Sequence, residues 1–367
     1  MKMTEQMREK SRDERGFVLI TVLIIVAILT TLVVDMMYYT QVDGEIARNT
    51  GDVIKARYLA KSGVNFVAGT MLAQNLEEFS ELAMFRGKDE DGGEGMWSIV
   101  VPGYPIGDGS VAIEIVDERS KINLNALVSR RTNRVDEQVR TQITELLRFL
   151  EVDGDNADDF ISSLINWLDR PLFGVENDQD PGGAREGYYR GLDTPYTIKN
   201  GTLDSVEEIR MVRGMDDEFY NKIKDFVTVY PPGKKVSFST APKVVIMAVL
   251  KSAMVSAVQR RQSAETNELR DDVADTIAGR IMEERQNESV VTRRRVIEIV
   301  REVDATLNIN SGLAGVVHST GASDVFGVRA VGVLGQDNPT VKVVRAVVRR
   351  SRPGQSPAVR VISWKEN

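Results

Sequence analysis

Hydrophobic and polar residues are sharply separated at the start of the chain. Residues 1–16 carry five basic and four acidic side chains, whereas the eighteen residues of 17–34 carry no charge. At 1.5 Å per helical residue the uncharged stretch spans about 27 Å, close to the roughly 30 Å hydrocarbon core of a bilayer. The pattern therefore predicts one transmembrane helix. Apolar residues continue at helical spacing as far as Leu72, so we expect the helix to extend well beyond the membrane.

The remainder of the chain changes from strand patterns to helix patterns and back. A turn-rich break at 88–95 precedes two β-branched segments that predict paired strands, at 97–101 and 111–116. Helical periodicity follows at 139–150, 160–167, 206–212 and 218–227, and alternation returns at 325–334, 341–350 and 359–364. We therefore predict an α+β fold, in which a long N-terminal helix and an antiparallel sheet carry a large inserted all-α domain.

Length and charge limit the classes of function. The 367 residues are 42% hydrophobic and suffice for a sizeable core. The net charge is −7, which argues against nonspecific binding to nucleic acid or anionic lipid. With no cysteine, the chain has neither disulfides nor thiol chemistry. Five basic residues precede Phe17 and the next basic residue is Arg48, so we expect a cytoplasmic N-terminus with the bulk outside the cytoplasm.

The junction of Arg15, Gly16 and Phe17 lies between the charged and the apolar segments. A signal peptide places its apolar core before the cleavage site, whereas cleavage after Gly16 would leave the apolar helix on the mature protein. This junction resembles that of type IV prepilins and pseudopilins. Most of those subunits have glutamate as the fifth mature residue. Thr21 stands there in this chain, which is typical of the minor pseudopilin K family of type II secretion.

Further segments carry the same resemblance along the chain, among them KINLNALV, SLINWLD, a long stretch with DSVEEIRMVRGM, VYPPGKKVSFSTAP and FGVRAVG. The resemblance implies a pilin-like core interrupted by a helical insert. The expected division is a cleaved leader at 1–16, the long helix at 17–95, the first part of the sheet at 96–128, the helical insert at 129–305 and the closing strands at 306–367.

The resemblance also implies a function. A family member is a minor pseudopilin of the bacterial inner membrane that lies at the tip of the type II secretion pseudopilus, with its bulk in the periplasm. It helps to initiate pseudopilus assembly and protein export across the outer membrane, and it is not an enzyme. The implied partners are the minor pseudopilins I and J and the prepilin peptidase, which would cut after Gly16 and methylate Phe17. Contact with the secreted cargo stays open.

Two other functions remain as alternatives. A minor pilin of a type IV pilus would share the junction but usually lacks a large helical insert. A membrane-anchored DNA receptor would use the hairpin motif at 203–227, because helix N-termini in such hairpins bind phosphate. Here Asp216, Asp217 and Glu218 open the second helix and would repel phosphate, so packing is the favoured interpretation and no nucleic acid is expected.

Acidic residues in a loop rich in glycine and proline indicate a candidate calcium site. Oxygen ligands of this kind suit Ca²⁺. The candidate ligands are Asp169, Glu176, Asp178, Asp180 and Glu186. Family members bind calcium through carboxylates of the insert, in a loop that ends in Gly-Ala-Glu. In this chain Arg185 takes the place of that glutamate, and Glu186 is displaced by one residue. A calcium site and a solvated acidic loop are both left open.

The only histidine, His318, has no second histidine with which to form a metal site. It lies beside Ser319 and Thr320 in a turn-rich segment, and we predict it to be a lone exposed side chain without a catalytic role.

Overall fold

A computed structural model of the protein describes residues 2–73, 84–86, 98–170, 182–260, 269–287, 290–307, 310–320, 323–335, 338–351 and 359–366. The first element is helix α1, Lys2–Ala73, whose 72 residues correspond to about 108 Å. It passes without interruption through Gly16 and Phe17 and ends one residue beyond Leu72. The predicted division extended this helix to residue 95, but residues 84–86 form a strand of the sheet instead. The predicted break at 88–95 lies outside the described residues.

Within the described residues, one six-stranded antiparallel sheet has the order β1-β2-β3-β6-β7-β8. The chain leaves this sheet after β3 and returns to pair beside it as β6. Two short parallel strands, β4 and β5, pair separately. The strands are β1 (Met84–Arg86), β2 (Ser98–Ile106), β3 (Gly109–Asp117), β4 (Ile122–Asn123), β5 (Val227–Thr228), β6 (Val325–Leu334), β7 (Thr340–Arg350) and β8 (Val359–Glu366).

Helix α1 packs across one face of the large sheet. Small residues allow a close approach: a Cβ atom at Gly332 would lie 2.1 Å from the Ala56 carbonyl oxygen. A Cβ atom at Gly63 of the helix would lie 2.9 Å from Val111 of β3. The resulting core alternates along the strands, as expected where one sheet face is covered. Its buried members are Ala60, Val64, Val67, Ile99, Val101, Val111, Ile113, Ile115, Val328, Ala330, Val344, Ala346 and Val348.

A helical insert fills the interval between β3 and β6. Side chains cap its helices: Asp136 accepts hydrogen bonds from the backbone N–H groups of Gln138 and Val139, and Thr292 accepts one from Arg295. The insert contains α2 (Glu137–Phe149), α3 (Gly154–Leu168), α4 (Glu186–Arg190), α5 (Asp217–Ile223), α6 (Lys243–Arg260), α7 (Asp271–Asn287), α8 (Arg293–Val303) and α9 (Asn310–Val316).

The insert has its own hydrophobic core, distinct from that between α1 and the sheet. Among its fully buried side chains are Phe160, Trp167, Tyr189 and Phe238. The rings of Trp167 and Tyr189 meet edge to face, with centroids 5.3 Å apart. The helices therefore pack on one another rather than on the sheet. The insert has its own core, and β3 and β6 pair directly on either side of it in the chain.

The structure confirms the predicted fold class and corrects several elements. The closing strands lie within two residues of the predicted ranges. Residues 122–128 were grouped with the first part of the sheet, but Ile122, Leu124 and Leu127 are buried in the core of the insert. The segment 206–211 is a 3-10 helix, and α5 ends at Ile223 because residues 227–228 form β5.

Candidate functional site

The first candidate site is the apolar part of α1, which packs against nothing in the described structure. Its most apolar window has a mean hydropathy of 3.2 and none of it is buried. Large side chains from Phe17 to Tyr39 are about half exposed or more. Among the described residues this is the one helix that is long and apolar enough to cross a membrane. An apolar surface of this size is stable when lipid or other apolar helices cover it.

Polar groups within the apolar segment are satisfied inside the helix. The Thr21 hydroxyl donates to the Phe17 carbonyl at 2.9 Å, and Thr30 and Thr31 donate to the carbonyls four residues before them. Position 21 thus presents no carboxylate and no unsatisfied donor. The segment 17–34 can be buried in an apolar environment without moving a charge there.

Charged contacts hold the part of α1 that follows its apolar segment to the last strand. Glu366 of β8 forms ion pairs with Arg57 and Lys61, the latter at 2.9 Å. A hydrogen bond from Trp364, together with those from the two cations, lowers the pKa of Glu366 to about 2. The C-terminal strand is therefore fixed to the helix as well as to β7.

A polar cluster joins the sheet to the insert at the point where the chain crosses between them. Asp117 ends β3 and is fully buried. Its carboxylate accepts hydrogen bonds from the Arg119 backbone N–H and from the hydroxyls of Thr240 and Ser323. Burial raises the pKa of Asp117 despite these donors. Sequence reasoning missed this junction, because Thr240 and Ser323 lie 123 and 206 residues from Asp117 in the chain.

Two of the five candidate calcium ligands are described, and each already has a protein partner. Asp169 is buried and accepts a hydrogen bond from the Asn133 side-chain amide. Asn133 also accepts a bond from the Arg170 backbone N–H, so it holds the start of the acidic loop. The other three candidates, Glu176, Asp178 and Asp180, lie outside the described residues. In the part of the chain that is described, no three acidic or histidine side chains are grouped as a metal site.

Glu186 uses both carboxylate oxygens to organise the segment that follows it. One oxygen accepts from the Ile198 backbone N–H at 2.8 Å, and the other accepts from Arg190 at 2.6 Å. These bonds, that of Ile198 first, lower the pKa of Glu186. A calcium ion at this carboxylate would compete with the Arg190 guanidinium, and in the described arrangement Glu186 instead fixes the segment up to Ile198. The calcium site remains a prediction that concerns Asp169 and the loop after it.

The hairpin motif packs into the insert. Gly214, at its turn, has a φ of +86°, and a Cβ atom there would lie 2.9 Å from the Phe160 backbone nitrogen of α3. Asp216 caps α5 by accepting from the Phe219 N–H at 2.7 Å. A carboxylate therefore already occupies the helix end that would bind phosphate in a DNA-binding hairpin.

His318 is half-buried, in contrast to the exposed position predicted for it. Its backbone N–H donates to the Val236 carbonyl at 2.8 Å, and this pairing draws the segment against the insert. Burial, together with the nearby cation Arg119, lowers the pKa of His318. Its ring nitrogen Nδ1 lies 3.4 Å from the Thr320 hydroxyl. These contacts favour a neutral, structural histidine.

Comparison with known proteins agrees with the resemblance inferred from the junction and the motifs. The sequence model of type II secretion system protein K matches residues 120–232. Relatives named type II secretion system protein K are 23% identical over 227 residues in Pectobacterium carotovorum and 26% identical over 240 residues in Pseudomonas aeruginosa. These matches cover 59% and 65% of this chain and 63% and 68% of the relatives, so the chain aligns with about two thirds of their length.

The fold has a counterpart among solved structures. A chain from the crystal structure of the GspK-GspI-GspJ complex of the enterotoxigenic Escherichia coli type 2 secretion system superposes with a TM-score of 0.58. The match covers 88% of this chain and 99% of the other chain, at 18% identity. At 18% identity, the similarity between the two chains is one of fold.

Proposed function

Since this chain belongs to the type II secretion system protein K family, we propose that it is the minor pseudopilin at the tip of the secretion pseudopilus. There it helps to initiate pseudopilus assembly and protein export across the outer membrane, as a structural subunit that catalyses no reaction. The observation that carries the proposal is an uncharged, unburied helix joined to a sheet that bears a large helical insert.

Thr21 and the insert both favour the end of a filament. In the pilin family, the glutamate at the fifth mature position is thought to neutralise the terminal amine of a neighbouring subunit, because an unpaired charge in lipid costs a few kcal/mol. A tip subunit has no subunit above it to neutralise, so the neutral Thr21 is tolerated there. The insert, built between β3 and β6, would obstruct any further subunit at the distal end.

The same proposal assigns location and partners. Residues 17–34 lie in the inner membrane, the N-terminus is cytoplasmic and the remainder is periplasmic. The partners are minor pseudopilins I and J, which is supported by the similar fold of a chain from the GspK-GspI-GspJ complex.

The prepilin peptidase removes residues 1–16 and methylates Phe17. Intact-mass measurement of the assembled protein checks this step, and a retained Met1 would contradict it.

The absence of native cysteine allows a direct test of the tip position. Asp158 is exposed on α3 of the insert, so Asp158→Cys supplies a single thiol. We expect gold-labelled maleimide to mark one end of isolated pseudopili, and a membrane-impermeant maleimide to label the protein from the periplasm. Labelling spaced along the filament would contradict a tip position. The unsubstituted chain is the control for thiol-independent labelling.

A further inference from the structure

The outer face of the six-stranded sheet, opposite α1, carries a row of like charges. Val328, Ala330, Val344 and Ala346 are buried on the α1 side, so the residues between them point to the other side. On that side Arg329 lies directly opposite Arg345, and Arg345 lies directly opposite Lys365. We call these three residues the cation row. Like charges in directly opposed positions destabilise a sheet, so this arrangement has a cost in the isolated subunit.

Few carboxylates compensate the cation row. Its side chains are half-exposed, at 49% for Arg329, 49% for Arg345 and 50% for Lys365. Glu114 on β3 lies 3.8 Å from the Arg329 guanidinium. In the sequence as a whole, residues 325–366 hold eight lysines and arginines against two acidic residues, although the chain has a net charge of −7. The positive charge is therefore concentrated on the closing strands.

One acidic residue of the insert already forms ion pairs with the cation row. Glu207, from the 3-10 helix Val206–Met211, lies 3.6 Å from the Arg345 guanidinium and 3.5 Å from the Lys365 amine. This carboxylate comes from outside the sheet and approaches its outer face. One carboxylate between two cations leaves net positive charge on this part of the row. In the described part of the chain, Arg329 pairs with Glu114, which lies directly opposite it on β3.

Apolar side chains flank the cation row on the same face. Val331 lies opposite Val343, and Val333 lies opposite Val341, one and two rows along from Arg329. Val341 is 47% exposed, and the other three are partly buried. Arginine is enriched at protein interfaces, and the buried centre of an interface is more apolar than the rest of the surface.

Anionic lipid is an unsuitable occupant for this face. The membrane segment ends near Val34 and the sheet begins to cover α1 near Ala56, which places the sheet about 33 Å further along the helix. Electrostatic attraction to a lipid surface decays over about 8 Å at physiological ionic strength. The face is therefore accessible to a protein that contacts the outer side of the sheet, rather than to lipid.

We propose that the cation row and its flanking valines form the docking surface for an acidic face of a neighbouring minor pseudopilin. This inference rests on the proposed function, because it takes pseudopilins I and J as the neighbours. Carboxylates of the neighbour would complete the neutralisation that Glu114 and Glu207 begin.

The test combines Arg329→Gln with Arg345→Gln in the full chain in detergent, and leaves Lys365 to hold Glu207. Binding to purified pseudopilins I and J is measured at low and high salt. We expect the dissociation constant to rise by about tenfold or more at low salt and the salt dependence to flatten. The melting temperature should be unchanged or higher, because the variant removes cross-strand repulsion.

The matched control is Arg294→Gln with Arg301→Gln, which removes the same charge from exposed positions of α8. Its affinity for the partners should equal that of the wild type. If the cation-row variant binds the partners like the wild type, or if the control variant loses as much affinity, the proposed docking surface is refuted. The partner assignment would still stand. If the wild type binds neither I nor J, the partner assignment and this inference both fall. Tight binding of a short DNA duplex that requires Arg329 and Arg345 would overturn a protein occupant.

Discussion

Gly332 of β6 and Ala56 of α1 are in such close contact that a Cβ atom at Gly332 would lie 2.1 Å from the Ala56 carbonyl oxygen. The same atom would lie 2.6 Å from the Ala60 backbone nitrogen. Both neighbours are backbone atoms of a helix, which cannot turn aside as a side chain can. The distance between α1 and the sheet is thus set by the absence of one methyl group.

The Gly332→Ala substitution should therefore force α1 away from the sheet. We expect the free energy of unfolding to fall by about 1–3 kcal/mol, the range of overpacked cores. Chemical denaturation of the full chain in detergent measures this. The control is Gly279→Ala in α7, where nothing lies within 4 Å of the added methyl group. That helical substitution should stabilise by about 0.5–1 kcal/mol. Equal stability of Gly332→Ala and wild type would refute the close contact.

Asp271 should make the insert sensitive to acid. Arg148 donates two hydrogen bonds of 2.8 Å to its carboxylate, and the nearly buried Lys251 donates one of 2.6 Å. These donors, Arg148 first, lower the pKa of Asp271 to about 2. Because the folded-state pKa lies below the ordinary 3.8, the stabilisation is complete above about pH 4 and is lost as the pH falls towards 2.

Asp271→Asn is expected to cost about 1 kcal/mol near neutral pH, since the half-exposed carboxylate is partly screened by water. Thermal unfolding at a series of pH values measures the stability difference between the variant and the wild type. This difference should shrink between pH 4 and pH 2. Asp272→Asn is the matched control, because in the described part of the chain Asp272 forms its ion pair with the exposed Arg270 at the surface. A constant difference across that pH range would contradict the role of the Asp271 charge.

Structural features could be predicted from the sequence where the interacting residues are close together in the chain. The uncharged run at 17–34 and the alternation at 325–334 are local patterns. The strand has the predicted bounds, and the apolar periodicity up to Leu72 locates the end of a helix that begins earlier than predicted, at Lys2. Residues 122–128 also alternate, but Ile122 pairs with Val227 rather than with the large sheet. A two-residue strand buried among helices has the same local pattern as a sheet strand, so its assignment required the tertiary structure.

The candidate sites follow the same rule. The acidic loop is visible in the sequence because its members are neighbours, but the engagement of Glu186 by Ile198 is not. The cation row depends on strand register, which places Arg329 opposite Arg345 and Arg345 opposite Lys365. Glu207 reaches that row from the insert, 138 residues before Arg345 in the chain. No local pattern encodes these contacts.

Calcium should stabilise the protein through the acidic loop rather than through Glu186. We expect millimolar calcium to raise the melting temperature by a few degrees relative to EDTA, and Asp169→Asn to abolish this increase. Glu186→Gln removes a support of the segment up to Ile198, so it should lower the melting temperature equally in calcium and in EDTA. The control is Glu218→Gln, which affects an exposed pair with Lys222. Absence of any calcium effect on the wild type would exclude the site.

Asp216 should stabilise the hairpin and not recruit phosphate. Its carboxylate accepts from the Phe219 N–H at 2.7 Å, so Asp216→Ala is expected to cost about 1 kcal/mol of unfolding free energy. Asp217→Ala is the neighbouring control. In the described part of the chain the 83% exposed side chain of Asp217 forms a surface pair with Arg210, so its loss should change stability by a few tenths of a kcal/mol. Filter binding at low salt should detect no affinity of the wild type for duplex DNA. Strong affinity that falls with salt and is enhanced in Asp216→Ala would instead identify the helix end as a phosphate site, because a DNA receptor must release counterions on binding.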